Sequence, residues 1–474
     1  MKRPLFMVLL LAGCSTVGPD YEEPAIPVPA DYAAPLVPGS SELDHWWQGF
    51  GDNSLTELVE LALEQNLDIE IAAARIREAR ALERAAGAGS APQLAAEGSV
   101  TRQRISENAI PVPPGSGGSS GGGLGLPGEE FTTWRAGFDA RWEIDLVGRN
   151  RREREAASAR ADAAIWDRRD TEVTVTAEVA RAYLELRAIQ QLAANARDEL
   201  SRQQRLEELV AAQRRGGLVT GEELDRRRSE RAAAAALVPE LEARAEAQIH
   251  ALSLLTGQAP AALRSSLATK AALPPAPSVP PGLPSDLLRR RPDIRSAERQ
   301  LAAATADIGV AVADLYPRIS LTAAPALVST ALGSLLEWGS RSFAAGAALD
   351  WPIFDGGRRR ATVEVRNARQ EQAMVQYRKA VLVALKDVED ALVRIEGDRR
   401  QLDELERAVT SAERAEEISL ARHRGGLASL AGTLEARQRR LSLERRVIET
   451  RAALARDTVG LVKALGGGWQ ETRQ

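Results

Sequence analysis

The side chains able to do covalent or acid–base chemistry are few and far apart. The 474-residue chain has one thiol, Cys14, and three imidazoles, His45, His250 and His423, none within ligand spacing of another. A single cysteine excludes an internal disulfide framework and a cysteine-cluster zinc site, so no metal site is expected. Charged residues are plentiful, 66 Asp+Glu against 62 Lys+Arg. They are interleaved along the chain, and no carboxylate pair or nucleophile–base set stands apart from them. A formal charge of −4 in mixed sign offers no basic face to nucleic acid. The run Gly115–Gly128 lacks the Lys-Ser/Thr ending of a phosphate loop and reads as a surface loop. The chain is not expected to be an enzyme.

Cys14 is the exception. Lys2 and Arg3 precede the apolar run Leu5–Ala12, the layout of a leader too short to span a bilayer. The run ends Leu11-Ala12-Gly13-Cys14, which resembles a bacterial lipobox. That resemblance implies a signal peptide over 1–13, cleavage before Cys14 and acylation of its thiol, a palmitate-type anchor. The covalent lipid is then the only non-protein group expected. By the same resemblance Ser15, rather than Asp, implies sorting to the outer membrane. Loss of Lys2 and Arg3 leaves a mature charge of about −6.

The elements that would surround such an anchor follow from proline and periodicity. Residues 14–45 carry six prolines from Pro19 to Pro38 and read as an extended tether. No proline falls between Gly128 and Val238 or between Ile353 and Gln474, so very long helices are permitted there. A Pro-rich linker, 273–284, separates repeat 1 (46–272) from repeat 2 (285–474). Asn66-Leu67-Asp68-Ile69 aligns with Arg291-Pro292-Asp293-Ile294, and Pro92 with Pro317, at an offset of 225. Gly148-Arg149 aligns with Gly357-Arg358, and Arg215-Gly216-Gly217-Leu218 with Arg424-Gly425-Gly426-Leu427, at 209. Landmarks in one order at two steady offsets indicate an internal two-fold repeat.

Within each repeat the apolar period changes. Trp134, Ala136, Phe138, Ala140, Trp142 and Ile144 alternate with charged or small residues, as do Phe343, Ala345, Ala347, Leu349, Trp351 and Ile353. Period two predicts strands at about 132–145 and 342–353, with weaker partners at about 93–104 and 318–329. Their length suits tilted membrane strands of about 9–11 residues. Helical period follows: Val175, Val179, Ala182, Leu186, Ile189, Ala193, Ala196 and Leu200 step by four and three, and the second half repeats the seam from Val381 to Val409. Helical hairpins are predicted over about 149–257 and 358–465, with a helix at about 285–313 and a C-terminal tail after the second hairpin. A helix over 149–214 would be on the order of 100 Å long. Pro239 predicts a kink in the first return helix.

Four amphipathic strands leave two unpaired edges, which hydrocarbon does not tolerate. Single-chain barrels start at eight strands, so copies of this chain must pool their strands, and three give twelve. Arg290–Leu301, Ala313–Leu321 and Pro352–Arg358 resemble the signature segments of the TolC-like outer membrane efflux family. Trp46-Trp47, Asp145–Arg149 and the ending Lys463–Trp469 resemble its lipoprotein branch. The resemblance implies a mainly α protein with a small β part. It further implies a homotrimer with a twelve-stranded transmembrane β-barrel, a periplasmic α-barrel of helical hairpins and an equatorial collar. It implies an exit channel for drugs or toxic small molecules in the outer membrane of a Gram-negative bacterium. The implied partners are a periplasmic adaptor and an inner-membrane pump of the resistance–nodulation–division type. The tips Gly216, Gly217, Leu218, Gly425, Gly426 and Leu427 match the family's adaptor-contact segments. Asp225 and Glu435 match its periplasmic constriction. Two rivals stand beside this reading: a protein-secretion duct of the same fold, and a lipid-anchored periplasmic adaptor with no pore.

Overall fold

Proline placement and the changes of period become elements in the computed structural model, which describes residues 16–33, 43–106, 130–269 and 271–469. Cys14, the leader before it and the Gly115–Gly128 loop lie outside the described residues. In chain order the helices and strands are α1 (Asn53–Gln65), α2 (Leu67–Ala88), β1 (Gln93–Arg104), β2 (Glu130–Ile144), α3 (Arg149–Arg215), α4 (Gly221–Leu255) and α5 (Arg264–Leu267). The second half has α6 (Leu287–Arg290), α7 (Pro292–Ala313), β3 (Arg318–Ala323), β4 (Ala326–Ser329), β5 (Arg341–Ser342), β6 (Ala345–Asp350), α8 (Arg358–Arg424) and α9 (Leu430–Ala464). One compact unit holds the described parts of 1–23, 78–161 and 300–373. The other holds those of 24–77, 162–299 and 374–474.

The duplicated long helices are equal in length. α2 and α7 each have 22 residues, α3 and α8 each 67, α4 and α9 each 35. The duplication extends to hydrogen bonding. Asn66 Nδ2 donates to Leu255 O at 2.8 Å, closing the last turn of α4; its equivalent, Arg291, donates from Nη1 to Ala464 O at 3.1 Å, closing α9. Different side chains thus satisfy the same orphan carbonyl at a helix C-terminus. α4 runs on through Pro239, which interrupts one hydrogen bond without ending the helix.

In the first unit the sheet is antiparallel throughout. β2 pairs β1 along one side and β3 plus β4 along the other; β3 then pairs β6, and β4 pairs β5. The predicted strand 318–329 is broken, because Pro325 has no N–H to donate and the ladder lapses at Ala324-Pro325. The predicted strand 342–353 begins at Arg341, lapses at Phe343-Ala344 and stops at Asp350. Register survives both lapses. Phe138 N donates to Pro325 O at 2.9 Å, and Ala324 N donates to Ala344 O at 2.7 Å. Four staves therefore stand, as expected. Gly137 makes the crossing possible: a Cβ there would lie 2.5 Å from Ala326 Cβ and 2.6 Å from Pro325 O.

Asp314 ties the staves to the long helices. Its carboxylate accepts from Arg149 Nε at 2.9 Å, at the start of α3, and from Arg318 Nη2 at 2.5 Å, at the start of β3. Its backbone oxygen accepts from Arg359 at the start of α8. Extended residues 16–23 also pack here rather than hanging free. Arg152, buried, donates to Val17 O and Gly18 O and pairs with Asp20 at 2.6 Å.

The second unit buries apolar residues of α1, α3, α4, α8 and α9, including Leu55, Val59, Tyr183, Leu186, Leu252, Val388, Leu441 and Val459. Tyr183 OH donates to Asp52 at 2.7 Å, and Asp52 also caps α1 by accepting from Leu55 N. Burial, with Asp286 and Glu389 behind it, pushes the Tyr32 hydroxyl up to about 12. The tether is a packed strap at this point. His45 stacks edge-on against Trp47 at 5.4 Å, so it is a packing residue.

Asp314→Ala should remove two charge-assisted hydrogen bonds and lower the stability of the first unit by on the order of 2 kcal/mol. A lowered midpoint for heat-induced unfolding in detergent, restored in part by Asp314→Asn, is the expected result.

Candidate functional site

The site begins with a face that the chain leaves bare. Paired residues share a face of a sheet. The ladder therefore gathers Leu94, Ala96 and Val100 of β1 with Trp134, Phe138 and Trp142 of β2 on one side. Ile319, Leu321 and Leu327 join them, then Ala345, Ala347 and Leu349. The opposite face carries Glu97, Ser99, Arg135, Asp139, Arg141, Glu143, Ser320, Thr322 and Asp350. Burial cannot explain the apolar side, since Leu94 is 70% and Leu349 65% exposed. An open apolar band of this extent needs a low-polarity partner.

Its height names that partner. Trp134 and Trp142 on β2, and Phe343 and Trp351 on the fourth stave, are each eight residues apart. At about 3.3 Å per residue this is roughly 26 Å along the strand, or roughly 20 Å of height at a tilt of about 40°, close to the apolar band of about 25 Å between the aromatic girdles of an outer-membrane barrel. Trp338, Phe343, Trp351 and Phe354 are all exposed, as girdle residues must be in a lone subunit. No described helix is long and apolar enough to cross a membrane, and the uncharged run 319–336 forms β3, β4 and the turns that follow them. β1 forms one edge of the sheet, and β5 with β6 the other. Both edges present unpaired backbone groups that hydrocarbon would penalise by several kcal/mol each.

In the second unit, the hairpin tips are built identically. α3 ends in a 6→1 bond from Leu218 N to Gln213 O (2.9 Å), with Gly217 at φ 73°. α8 ends in the same bond from Leu427 N to Arg422 O (2.8 Å), with Gly426 at φ 71°. Glycine is used because the residue after each helix must be left-handed. That motif usually packs its following apolar residue back on the helix. Here Leu218 and Leu427 are 77% and 82% exposed, so both leucines point to solvent. Thr220 and Ser429 then cap α4 and α9 through Glu223 N and Gly432 N.

The two acids behave differently. Asp225 is exposed and pairs with Arg228 at 3.2 Å, whereas Glu435 is exposed on α9. They are not repeat equivalents: at the 209 offset Asp225 corresponds to Leu434, which is buried. Beside Asp225, the hydrogen bond from Arg226, with a weaker one from Arg227, holds the Glu223 carboxyl below the usual range. Each hairpin is clasped just above its tip by an equivalent ion pair, Glu207–Arg231 at 2.7 Å and Glu416–Arg440 at 2.6 Å. Periodicity did not reveal these clasps; the 209 offset would have.

A profile of outer membrane efflux proteins matches residues 58–258 and 283–467. The chain belongs to the outer membrane efflux protein family. It is an outer-membrane efflux channel, and the bare apolar band is its lipid-facing surface. It is 34% identical over 467 residues to the pyoverdine export outer membrane protein OpmQ of Pseudomonas aeruginosa, covering 98% of this chain and 96% of that one. It is 30% identical over 482 residues to the solvent efflux pump outer membrane protein SrpC of Pseudomonas putida, covering 98% of each. The solved outer-membrane channel OprN superposes with a TM-score of 0.84 at 32% identity, over 96% of this chain and all of that one.

Efflux-family membership and the sheet register together make a sharp prediction for Phe138, midway between the girdles. Phe138→Arg should cost on the order of 2–4 kcal/mol at the hydrocarbon midplane, read as loss of assembled protein in outer-membrane fractions. Asp139→Arg, one residue away on the polar face, should assemble normally.

Proposed function

We propose that three copies of this chain form one duct, through which an inner-membrane pump of the resistance–nodulation–division type, joined by a periplasmic adaptor, discharges small amphiphilic molecules. The single observation that carries this is the four-stave sheet with a bare apolar face and two open edges, which needs further copies to close. Relatives named for export of pyoverdine and of solvents support small-molecule cargo over secreted protein. Conduction would be passive, the energy coming from the pump, and the helices supply no catalytic group. A lipid on Cys14 would add an anchor to the barrel.

The repeat supports a specific contact between copies. Within one chain α3 lies against α9: Asn195 Nδ2 donates to Leu441 O at 3.1 Å, and Glu185 pairs with Arg456. At the 209 offset that face of α3 becomes Arg394 and Glu404 on α8, both exposed, and that face of α9 becomes Ala232 and Ala247 on α4, also exposed. A neighbouring seam agrees. Val173 and Leu184 are buried on α3, yet their equivalents Leu382 and Val393 are 55% and 64% exposed. α8 of one copy would pack on α4 of the next, a head-to-tail contact that closes into a ring. Paired Glu404→Cys and Ala232→Cys should give covalent trimers on oxidation; each single variant should stay monomeric in denaturing gels.

At the tips, the exposed Leu218 and Leu427, set on their rigid glycine turns, would dock the adaptor. Asp225 and Glu435, one turn inside, would ring the constriction, and opening would be iris-like as hairpins move apart. Leu218→Asp with Leu427→Asp should abolish drug resistance in cells while leaving trimer yield unchanged. Asp225→Ala with Glu435→Ala should raise single-channel conductance in planar bilayers; unchanged conductance would remove the constriction from these residues.

A further inference from the structure

The seam of α8 contains one residue that does not belong in a seam. Its two interleaved rows are Val381, Val388, Ile395, Leu402, Val409 and Ala384, Ala391, Asp398, Leu405, Ala412. Ala384, Ala391, Leu405 and Ala412 are buried, so Asp398 occupies a core position of the heptad. The equivalent residue in the first repeat, at the 209 offset, is Ile189, which is 1% exposed and centres an apolar cluster with Ala193, Ala196 and Leu241. Asp398 Oδ2 is buried with no hydrogen-bond donor facing it. The group that does face it is a second carboxylate, Asp457 of α9. The equivalent of Asp457 in the first repeat is Gln248. The first hairpin therefore has Ile and Gln where the second has two acids.

Of the surrounding cations, one reaches the outer acid of the pair and the other is held by a third helix. Arg394 of α8 donates to Asp457 Oδ1 at 3.2 Å and is half exposed. Arg456 of α9 is held by Glu185 of α3, which Arg244 of α4 also reaches. Glu396 and Arg399 on α8 border the Pro277–Pro281 segment, which brings no titratable group of its own. We propose that Asp398 and Asp457 form a proton-dependent latch between α8 and α9, which zips the middle of the second hairpin when they share a proton and lets it part when both are ionised. When protonated, Asp398 donates its carboxyl hydrogen to an Asp457 oxygen. When it is not, two negative charges face each other across a seam packed on both sides by apolar residues. Burial first, and then Asp457, raises the carboxyl of Asp398 above its ordinary value, while Arg456 and Arg394 oppose the shift. The sign follows: a carboxyl raised in the folded state favours folding while protonated, and that contribution is lost as pH rises through the raised value.

The inference rests on the helical seam alone and is tested apart from transport. Hydrogen exchange is measured on the full-length trimer in detergent micelles from pH 4.5 to 7.5, corrected for intrinsic amide rates. Backbone amides of Val388–Leu405 should lose protection as pH rises through the raised value, by up to about tenfold per pH unit for one proton released, while the equivalent Val179–Ala196 stays level. Asp398→Asn and Asp398→Ile should each flatten the profile of the second hairpin, and Asp457→Asn should flatten it while leaving Asp398 in place. Equal pH profiles for the two hairpins in the unmodified protein, or an unchanged profile in Asp398→Asn and Asp457→Asn, would overturn the latch.

Discussion

Hydrogen bonding of the backbone in a medium without water is the constraint on which the structure rests. A strand that faces lipid must have both of its edges paired, because an orphan N–H or C=O costs several kcal/mol there. In one chain β1 has a partner only in β2, and β6 only in β3. This subunit is therefore an open segment of a cylinder, and oligomerisation is a condition of membrane insertion rather than an ornament of it. The same demand accounts for Gly137, whose missing side chain lets the staves stay in register across Pro325.

The helical part answers a different problem. Helices of 67 residues cannot bury themselves against their own chain on every face. The internal repeat solves half of this, since α3 covers α9 and each outgoing helix covers its return helix. What remains bare, on α8 and α4, is in each case the repeat equivalent of a surface already buried inside the chain. Where the two halves have diverged, function has room. Asn66 and Arg291 close the same carbonyl with different chemistry. Ile189 and Asp398 fill one seam position with opposite polarity.

Much of this was legible from residues alone, for identifiable reasons. Strict alternation along β2 sets which side chains share a face, because a strand has no other period, and the predicted bounds differ from the observed ones by one or two residues. The glycine pairs at the tips mark helix ends because a left-handed residue is required there. The breaks at Ala324-Pro325 and Phe343-Ala344 were less legible, although Pro325 was the signal: a strand can keep its register through a residue that makes no ladder bond. The threefold role of Asp314, through Arg149, Arg318 and Arg359, could not be read from spacing, since two of those partners lie 45 and 165 positions away.

By itself, the order of residues determined the duplication, the strand faces, the helix ends and the proline-free stretches, all of which depend on spacing within a few tens of positions. Only the tertiary structure decided which of those faces are covered. The face of α3 that carries Val173 and Leu184 and the matching face of α8, with Leu382 and Val393, look alike in composition, but one is buried and the other open, because burial depends on which element the fold brings alongside. For the same reason it took the folded chain to set two acids, Asp398 and Asp457, opposite each other.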